Sequence, residues 1–234
     1  MMSKFTKTLV AGALASTAGT AAALDDIAGN VTLASDYVFR GISQTNNKAA
    51  IQGGLDWAYN FEPVSWYIGA WGSNIDQDFF SDNPVMELDV YTGLSGEIGD
   101  FGYDAGWLRY LYPGGRINDT TEWHIGGSWK WIGVTYYYSK DWFATDDSAS
   151  RIEGSFDYDL PYEIGFSASV ANNYGDGNED FWNDSYVDWT LGLSKTWLGV
   201  DWGLTYTDTD ISSSDCGDDD LCDSTFVLSA SKSF

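Results

Sequence analysis

Thr225-Phe-Val-Leu-Ser-Ala-Ser-Lys-Ser-Phe234 closes the chain and reads as a strand whose last residue is aromatic. Eleven comparable stretches precede it, each with one apolar face. That pattern, repeated behind an export signal, predicts an all-β fold: a transmembrane antiparallel up-and-down β-barrel of about twelve strands, as in bacterial outer membranes. In Ala50–Tyr59, Ile51, Gly53, Leu55, Trp57 and Tyr59 share one phase, and Gln52, Gly54, Asp56 and Ala58 the other. Within Met86–Ile98, Met86, Leu88, Val90, Leu94 and Ile98 oppose Glu87, Asp89, Tyr91, Ser95 and Glu97. Arg151–Leu160 sets Ile152, Phe156, Tyr158 and Leu160 against Arg151, Glu153, Ser155, Asp157 and Asp159. A period of two is the signature of a half-buried strand.

A soluble β-sandwich alternates in the same way, so the connections have to discriminate. Long polar links are expected at Gly41–Lys48, Asn74–Val85, Pro113–Thr120, Asp141–Ala149, Asn172–Ser185 and Asp208–Ser224. Short ones are expected at Asn60–Val64, Gly99–Asp100, near Trp131–Gly133, Asp159–Pro161 and Lys195–Trp197. Strict alternation of long loops and short turns belongs to barrels rather than to Greek-key sandwiches. Three stretches fit poorly. Trp66–Ser73 is apolar on both phases, Val134–Tyr138 carries three tyrosines, and Arg109 falls on an apolar phase, through snorkelling or a bulge.

Lys4 and Lys7 precede the apolar run Leu9–Leu14 and the small residues Ala21-Ala22-Ala23, which predicts a cleaved export signal over residues 1–23 and a barrel over 24–234. The apolar run is too short for a spanning helix. The full chain carries a formal charge of −24; without Lys4 and Lys7 it falls to −26. Such acidity argues against a nucleic-acid partner, since phosphate binding needs a basic surface. It either solvates the protein or favours cations. Aromatic residues make up 17% of the chain and are expected to form two interfacial girdles. Trp57, Tyr59, Phe101, Tyr103, Trp129, Trp131, Tyr158, Tyr162 and Trp197 stand by the short turns. Trp71, Trp107, Tyr110, Tyr112, Trp123, Tyr136, Tyr138, Trp142, Tyr186 and Trp189 stand toward the long loops. Cys216 and Cys222, six apart in an exported chain, predict a local disulfide.

The segment Asn30-Val-Thr-Leu-Ala-Ser-Asp-Tyr-Val-Phe-Arg-Gly-Ile-Ser-Gln-Thr45 resembles the opening of the TorF-type porin family, also known as Gcw_chp, of Gram-negative bacteria. Ala50-Ile-Gln-Gly-Gly-Leu-Asp56, Glu87-Leu-Asp-Val-Tyr-Thr-Gly-Leu94, the stretch ending Tyr112-Pro113-Gly114 and the terminal strand fit as well. The resemblance implies an outer-membrane barrel with a channel role. It brings no catalytic residues, substrate or cofactor.

The polar strand phases supply the candidate lumen. Asp36, Arg40, Gln52, Asp56, Glu87, Asp89, Asp104, Glu122, Lys130, Arg151, Glu153, Asp157, Glu163, Asp188 and Asp201 are expected to face inward. They would either line a water-filled path that favours cations or pair across strands and plug the barrel. Asp36 and Arg40, four apart on one strand face, would form a charged constriction or a structural ion pair. The acidic link Asp208–Asp223 could hold Ca²⁺ or Mg²⁺, but it lacks an EF-hand pattern, and no metal is assigned. His124 shares a phase with Glu122 and Ser128, so a hydrolytic triad can be drawn without a nucleophile elbow to support it. Tyr91 and Trp71 are the only aromatics expected inward, as a possible sugar-stacking surface. The expected activity is passive diffusion of small hydrophilic solutes through a lipid-embedded, non-enzymatic channel. A closed barrel with binding loops is the alternative, and nothing in the sequence marks an oligomer surface.

Overall fold

A sheet that is apolar on one face and polar on the other keeps two unpaired edges until it closes on itself. The computed structural model describes residues 27–77, 83–115, 119–216 and 220–234. The expected export signal lies outside the described residues. The elements are β1 (Ala28–Ala34), β2 (Val38–Phe39), β3 (Ile42–Ser43), β4 (Ala50–Asn60), β5 (Val64–Asn74), β6 (Met86–Ile98), β7 (Phe101–Leu111), β8 (Thr120–Trp129), β9 (Ile132–Ser139), β10 (Ala149–Leu160), β11 (Ile164–Tyr174), helix α1 (Asp176–Trp182), β12 (Tyr186–Trp197), β13 (Val200–Thr209) and β14 (Thr225–Ser233).

Twelve of these strands, all but β2 and β3, form one closed antiparallel barrel. Each is bonded to its neighbour in sequence, and β1 seals the ring by pairing with β14 on one side and β4 on the other. The seam continues to the last residue. Gly29 N–H donates to the Phe234 carbonyl and Phe234 N–H to that of Gly29, both at 2.9 Å.

Side chains obey the alternation. Leu55 (56% exposed) and Ile125 (62% exposed) point outward with the other large aliphatics of the strands. In water this band would forfeit about 25 cal/mol per Å² of apolar surface; in a hydrocarbon layer it costs nothing. The short turns, at residues 61–63, 99–100, 130–131, 161–163 and 198–199, share one rim with the start of β1 and the end of β14. All six long loops share the other.

The misfit segments resolve without a register shift. In β5, Trp66 and Ile68 face outward, while Tyr67 and Trp71 face in. In β9, Val134, Tyr136 and Tyr138 face out and Tyr137 in. Arg109 keeps its outward phase, opposite Val90, and reaches Asp119 at 3.5 Å by the long-loop rim.

Two expectations are corrected. The first strand ends at Ala34, not beyond Arg40, because the chain turns inward there. The girdle by the short turns holds, but on the long-loop side Tyr110, Tyr112, Trp142 and Tyr186 turn inward instead of toward lipid, joining Trp71, which faces inward as expected. They have something to cover: an apolar core inside the barrel, made of Ala34, Tyr37, Ala50, Ile75, Tyr110 and Tyr112, with Phe39, Trp71, Leu108 and Phe143 packed on it.

Candidate functional site: a barrel lumen sealed at one end

The segment Ser35–Ala49 leaves β1, folds down into the barrel mouth and returns to β4. At its tip Phe39 pairs with Ile42, and Arg40 and Gly41 take φ values of 51° and 84°. Positive φ at both central residues is the two-residue hairpin turn that matches strand twist. Gly41 is needed twice over, because a Cβ there would also stand 2.9 Å from Cβ of Thr209 on β13. Arg40 occupies a left-handed conformation that L side chains rarely adopt, held there by its contacts.

The loop is braced internally. Asp36 Oδ1 accepts from Ser43 Oγ at 2.8 Å and from Thr45 Oγ1 at 2.7 Å. Tyr37 N–H donates to Thr45 Oγ1, and Gln44 N–H to the Tyr37 carbonyl. Arg40 Nη2 donates to Glu122 Oε1 at 2.5 Å, and Tyr110 donates to the other Glu122 oxygen at 3.0 Å. The guanidinium lies 4.7 Å from the Trp142 ring centre and 5.7 Å from that of Tyr137. On the barrel wall, Arg151 holds Asp188 with both guanidinium nitrogens and also reaches Glu153 at 2.7 Å and Asn173 at 3.0 Å. The Tyr37 and Tyr112 hydroxyls donate to the two oxygens of Glu87 at 2.9 and 3.1 Å. Burial, followed by the charges of Glu87 and Asp89, pushes both phenols well above their ordinary pKa, so they remain donors.

These contacts fill the long-loop half of the lumen. The half toward the short turns is different: its inward side chains keep contact with solvent. Tyr91 donates to Asp56 at 2.5 Å. Asp104 Oδ1 is bonded to His124 Nε2, and the Tyr67 hydroxyl lies 3.3 Å from each. Glu153 Oε2 is bonded to Arg151, and Asp157 stands inward and exposed near the rim.

The candidate residues therefore separate into groups. Asp36 and Arg40 lie in the lumen, but on the inserted loop rather than on a strand. Glu87, Asp89, Glu122, Arg151 and Asp188 form the buried layer around it. Gln52 stands at the long-loop end of β4, paired with Ser73 and through it in register with Glu87, while Asp56, Asp104, Glu153, Asp157 and Asp201 face the open half, Asp201 accepting from Thr196 at 2.5 Å. Lys130 and Glu163 are corrected: both sit in short turns with positive φ, and Lys130 lies exposed, 3.9 Å from Asp100. The drawn triad does not assemble, since Glu122 is taken by Arg40 and Tyr110 while His124 joins Asp104 and Tyr67.

Sequence reasoning missed the inward Tyr67, Tyr110, Tyr137 and Tyr186. For the triplet, period two alone leaves either phase open. The signal it could have used for the hairpin is Arg40-Gly41 between Phe39 and Ile42, a turn pair between apolar residues.

The predicted disulfide joins Cys216 and Cys222, and it serves the seal. Both sulfurs pack with Ile42 at the hairpin tip, with Tyr186 and with Trp182 of α1. Closing so short a loop limits the unfolded chain by about 2 kcal/mol. Cys222→Ser with Cys216→Ser is expected to release the 210–224 loop from the hairpin. Limited proteolysis of the refolded barrel checks this, with faster cutting in that loop and an intact barrel; unchanged cutting would show that Ile42 and Tyr186 suffice. Among the described residues, no three His, Cys, Asp or Glu side chains gather closely enough to share a metal ion.

A closed twelve-stranded barrel with an apolar outer band and a polar lumen is a transmembrane β-barrel. Within that class the chain belongs to the Gcw_chp family, described as bacterial proteins of unknown function, whose signature matches residues 18–234. No protein of curated function matches it in sequence. Among solved structures it is similar to the NanC porin (12% identity, TM-score 0.54, covering 88% of this chain and 98% of that one) and to the KdgM porin (10%, 0.52, 88% and 99%). It is also similar to the COG4313 outer membrane channel from Pseudomonas putida F1 (9%, 0.50, 89% and 95%). At such identities the likeness concerns the fold alone.

Proposed function

We propose that this chain is a TorF-type porin of the Gram-negative outer membrane: a channel for passive diffusion of small hydrophilic solutes, cation-preferring, and shut at its outer end by the loop 35–49. The observation that carries this reading is an acid-rich lumen whose short-turn half keeps contact with solvent and whose long-loop half is filled by an inserted hairpin and the loop side chains packed on it. In barrels of this kind the short turns face the periplasm and the long loops the exterior, so the open half faces inward to the cell. The predicted signal over residues 1–23 supplies export. The porin and channel structures of like fold support the reading without specifying a solute.

The preference follows from charge. Asp56, Asp104, Asp157 and Asp201 face the open half, while Lys130 and Arg109 stand outside the lumen. Carboxylates lining a low-dielectric tube concentrate cations and repel anions. Small cations and zwitterions are the solutes that fit, across a lipid bilayer and with no nucleic acid or cofactor involved. In a planar bilayer under a salt gradient, the reversal potential is expected to be cation-biased, and Asp56→Asn with Asp157→Asn to move it toward zero. An anion bias, or no response to those changes, would overturn the charge account.

The sealed mouth also favours a second reading, a closed barrel whose ordered outer loops bind a partner. A barrel that stays silent even without its plug would select that reading.

A further inference from the structure

Among the described residues, five carboxylates are buried in the sealed half (Asp36, Glu87, Asp89, Glu122 and Asp188) against two guanidiniums, Arg40 and Arg151. Arg151 is committed to Asp188, and Arg40 to Glu122 through Nη2, its Nη1 having no hydrogen-bond partner. Asp36 is served by hydroxyls of its own loop, and Glu87 by Tyr37 and Tyr112. Asp89 is left over. It is 0% exposed, no donor group reaches either carboxylate oxygen, and the one group within hydrogen-bond reach is the equally acidic Glu87 carboxyl. Glu87, 1% exposed, stands two residues away on the same inward face of β6, with Trp71 of β5 and Tyr110 of β7 as the cross-strand neighbours of Asp89. A buried carboxylate without a compensating charge is strongly destabilising, and a second one beside it adds repulsion. Among the described residues, no ion pair from a lysine or arginine reaches either carboxylate.

We propose that Glu87 and Asp89 hold a calcium ion inside the plug. One divalent ion cancels both charges. The available ligands are all hard oxygens: two carboxylates, the phenol oxygens of Tyr37 and Tyr112, which keep lone pairs while donating to Glu87, and water carried in with the ion. Calcium accepts an irregular shell of six to eight such oxygens, whereas magnesium demands a near-ideal octahedron and sheds water reluctantly. Because Tyr37 belongs to the inserted loop and Tyr112 to the loop after β7, an ion on Glu87 ties both loops to the wall. Calcium thus stabilises the sealed form. The inference does not depend on the channel reading, because the site is read by binding and not by current.

The test is equilibrium binding of radioactive calcium to the refolded, EDTA-stripped full barrel in detergent, with thermal unfolding in parallel. Folding of each variant is verified by its heat-modifiable migration. The expected result is one ion per barrel, lost in Asp89→Asn, weakened at least tenfold in Glu87→Gln and retained in Asp180→Asn with Asp184→Asn on the outer loop, with a calcium-dependent rise in unfolding temperature only where the ion binds. No binding by the wild type would overturn the proposal. So would binding that survives Asp89→Asn, which would place the ion on the outer acidic loops. A wild type indifferent to calcium yet stabilised by Asp89→Asn would assign a shared proton to the pair instead.

Discussion

Replacing residues 35–49 by a two-residue Asn-Gly turn is expected to raise single-channel conductance by roughly an order of magnitude while leaving the barrel folded. The geometry allows so drastic an excision because Ala34 and Ala50 are direct cross-strand partners. A two-residue turn joins such partners with the twist that antiparallel strands require. Only one backbone bond to a wall strand is lost, from Ser35 N–H to the Leu228 carbonyl of β14, since β2 and β3 pair only with each other. What disappears is the material that fills the mouth: the hairpin, Tyr37 on Glu87 and Arg40 on Glu122. The remaining twelve-stranded wall is wide enough to leave a water path, where narrower barrels pack solid. The check is the conductance histogram of wild type and excised protein in the same bilayer. Equal conductance from a verified barrel would sink the plug account. Trp142 and Phe143, packed against Tyr110 from the loop after β9, would then be the seal.

Arg40→Ala is expected to open the channel without removing the loop. Arg40 is 4% exposed and is the only buried cation that the plug brings to the wall. Taking away one partner of a buried ion pair costs about 3–5 kcal/mol, chiefly because the other charge is left uncompensated. Here Glu122 would be that charge, with only the Tyr110 hydroxyl to hold it. The penalty falls on the closed form, since with the hairpin withdrawn Glu122 meets water. The closed-to-open ratio should therefore drop by roughly two to three orders of magnitude. Combining it with Glu122→Gln removes the stranded charge and should recover much of that loss, a coupling that a double-mutant cycle reads directly. If open probability in Arg40→Ala matched the wild type, the pair would be shown to brace the barrel rather than the plug.

Both results would turn on a segment whose sequence is easily misread. From Asn30 to Phe39 the chain alternates as a strand should, and Asp36 and Arg40 fall on one phase of it. The structure stops that strand at Ala34 because β4 begins at its partner Ala50 and leaves that side unpaired beyond it; on the other side Ser35 N–H still donates to the Leu228 carbonyl of β14 before the chain turns into the lumen. Strand propensity needs a partner to be realised, and the partners are residues distant in the chain. The same reason explains the divided aromatics. Trp107 and Trp189 face lipid, whereas Tyr110 and Tyr186 face the plug, although all four stand near the long loops. Which phase of a strand is wet and which is dry depends on what fills the lumen at that height.

The sequence by itself determined the barrel: period two along most wall strands, long and short links in strict alternation, an apolar phase that only lipid could cover, and two cysteines close enough to bridge. Those signals are local, each legible within a strand or a loop. Only the tertiary structure decided which end of the lumen is closed, that Arg40 meets Glu122, and that Asp89 is buried beside Glu87 with no cation on either. Such facts depend on side chains from the first loop, β6 and β8 arriving at one level of a closed cylinder. Register and closure set that level through the backbone bonds of the whole ring, and no single stretch of sequence encodes it.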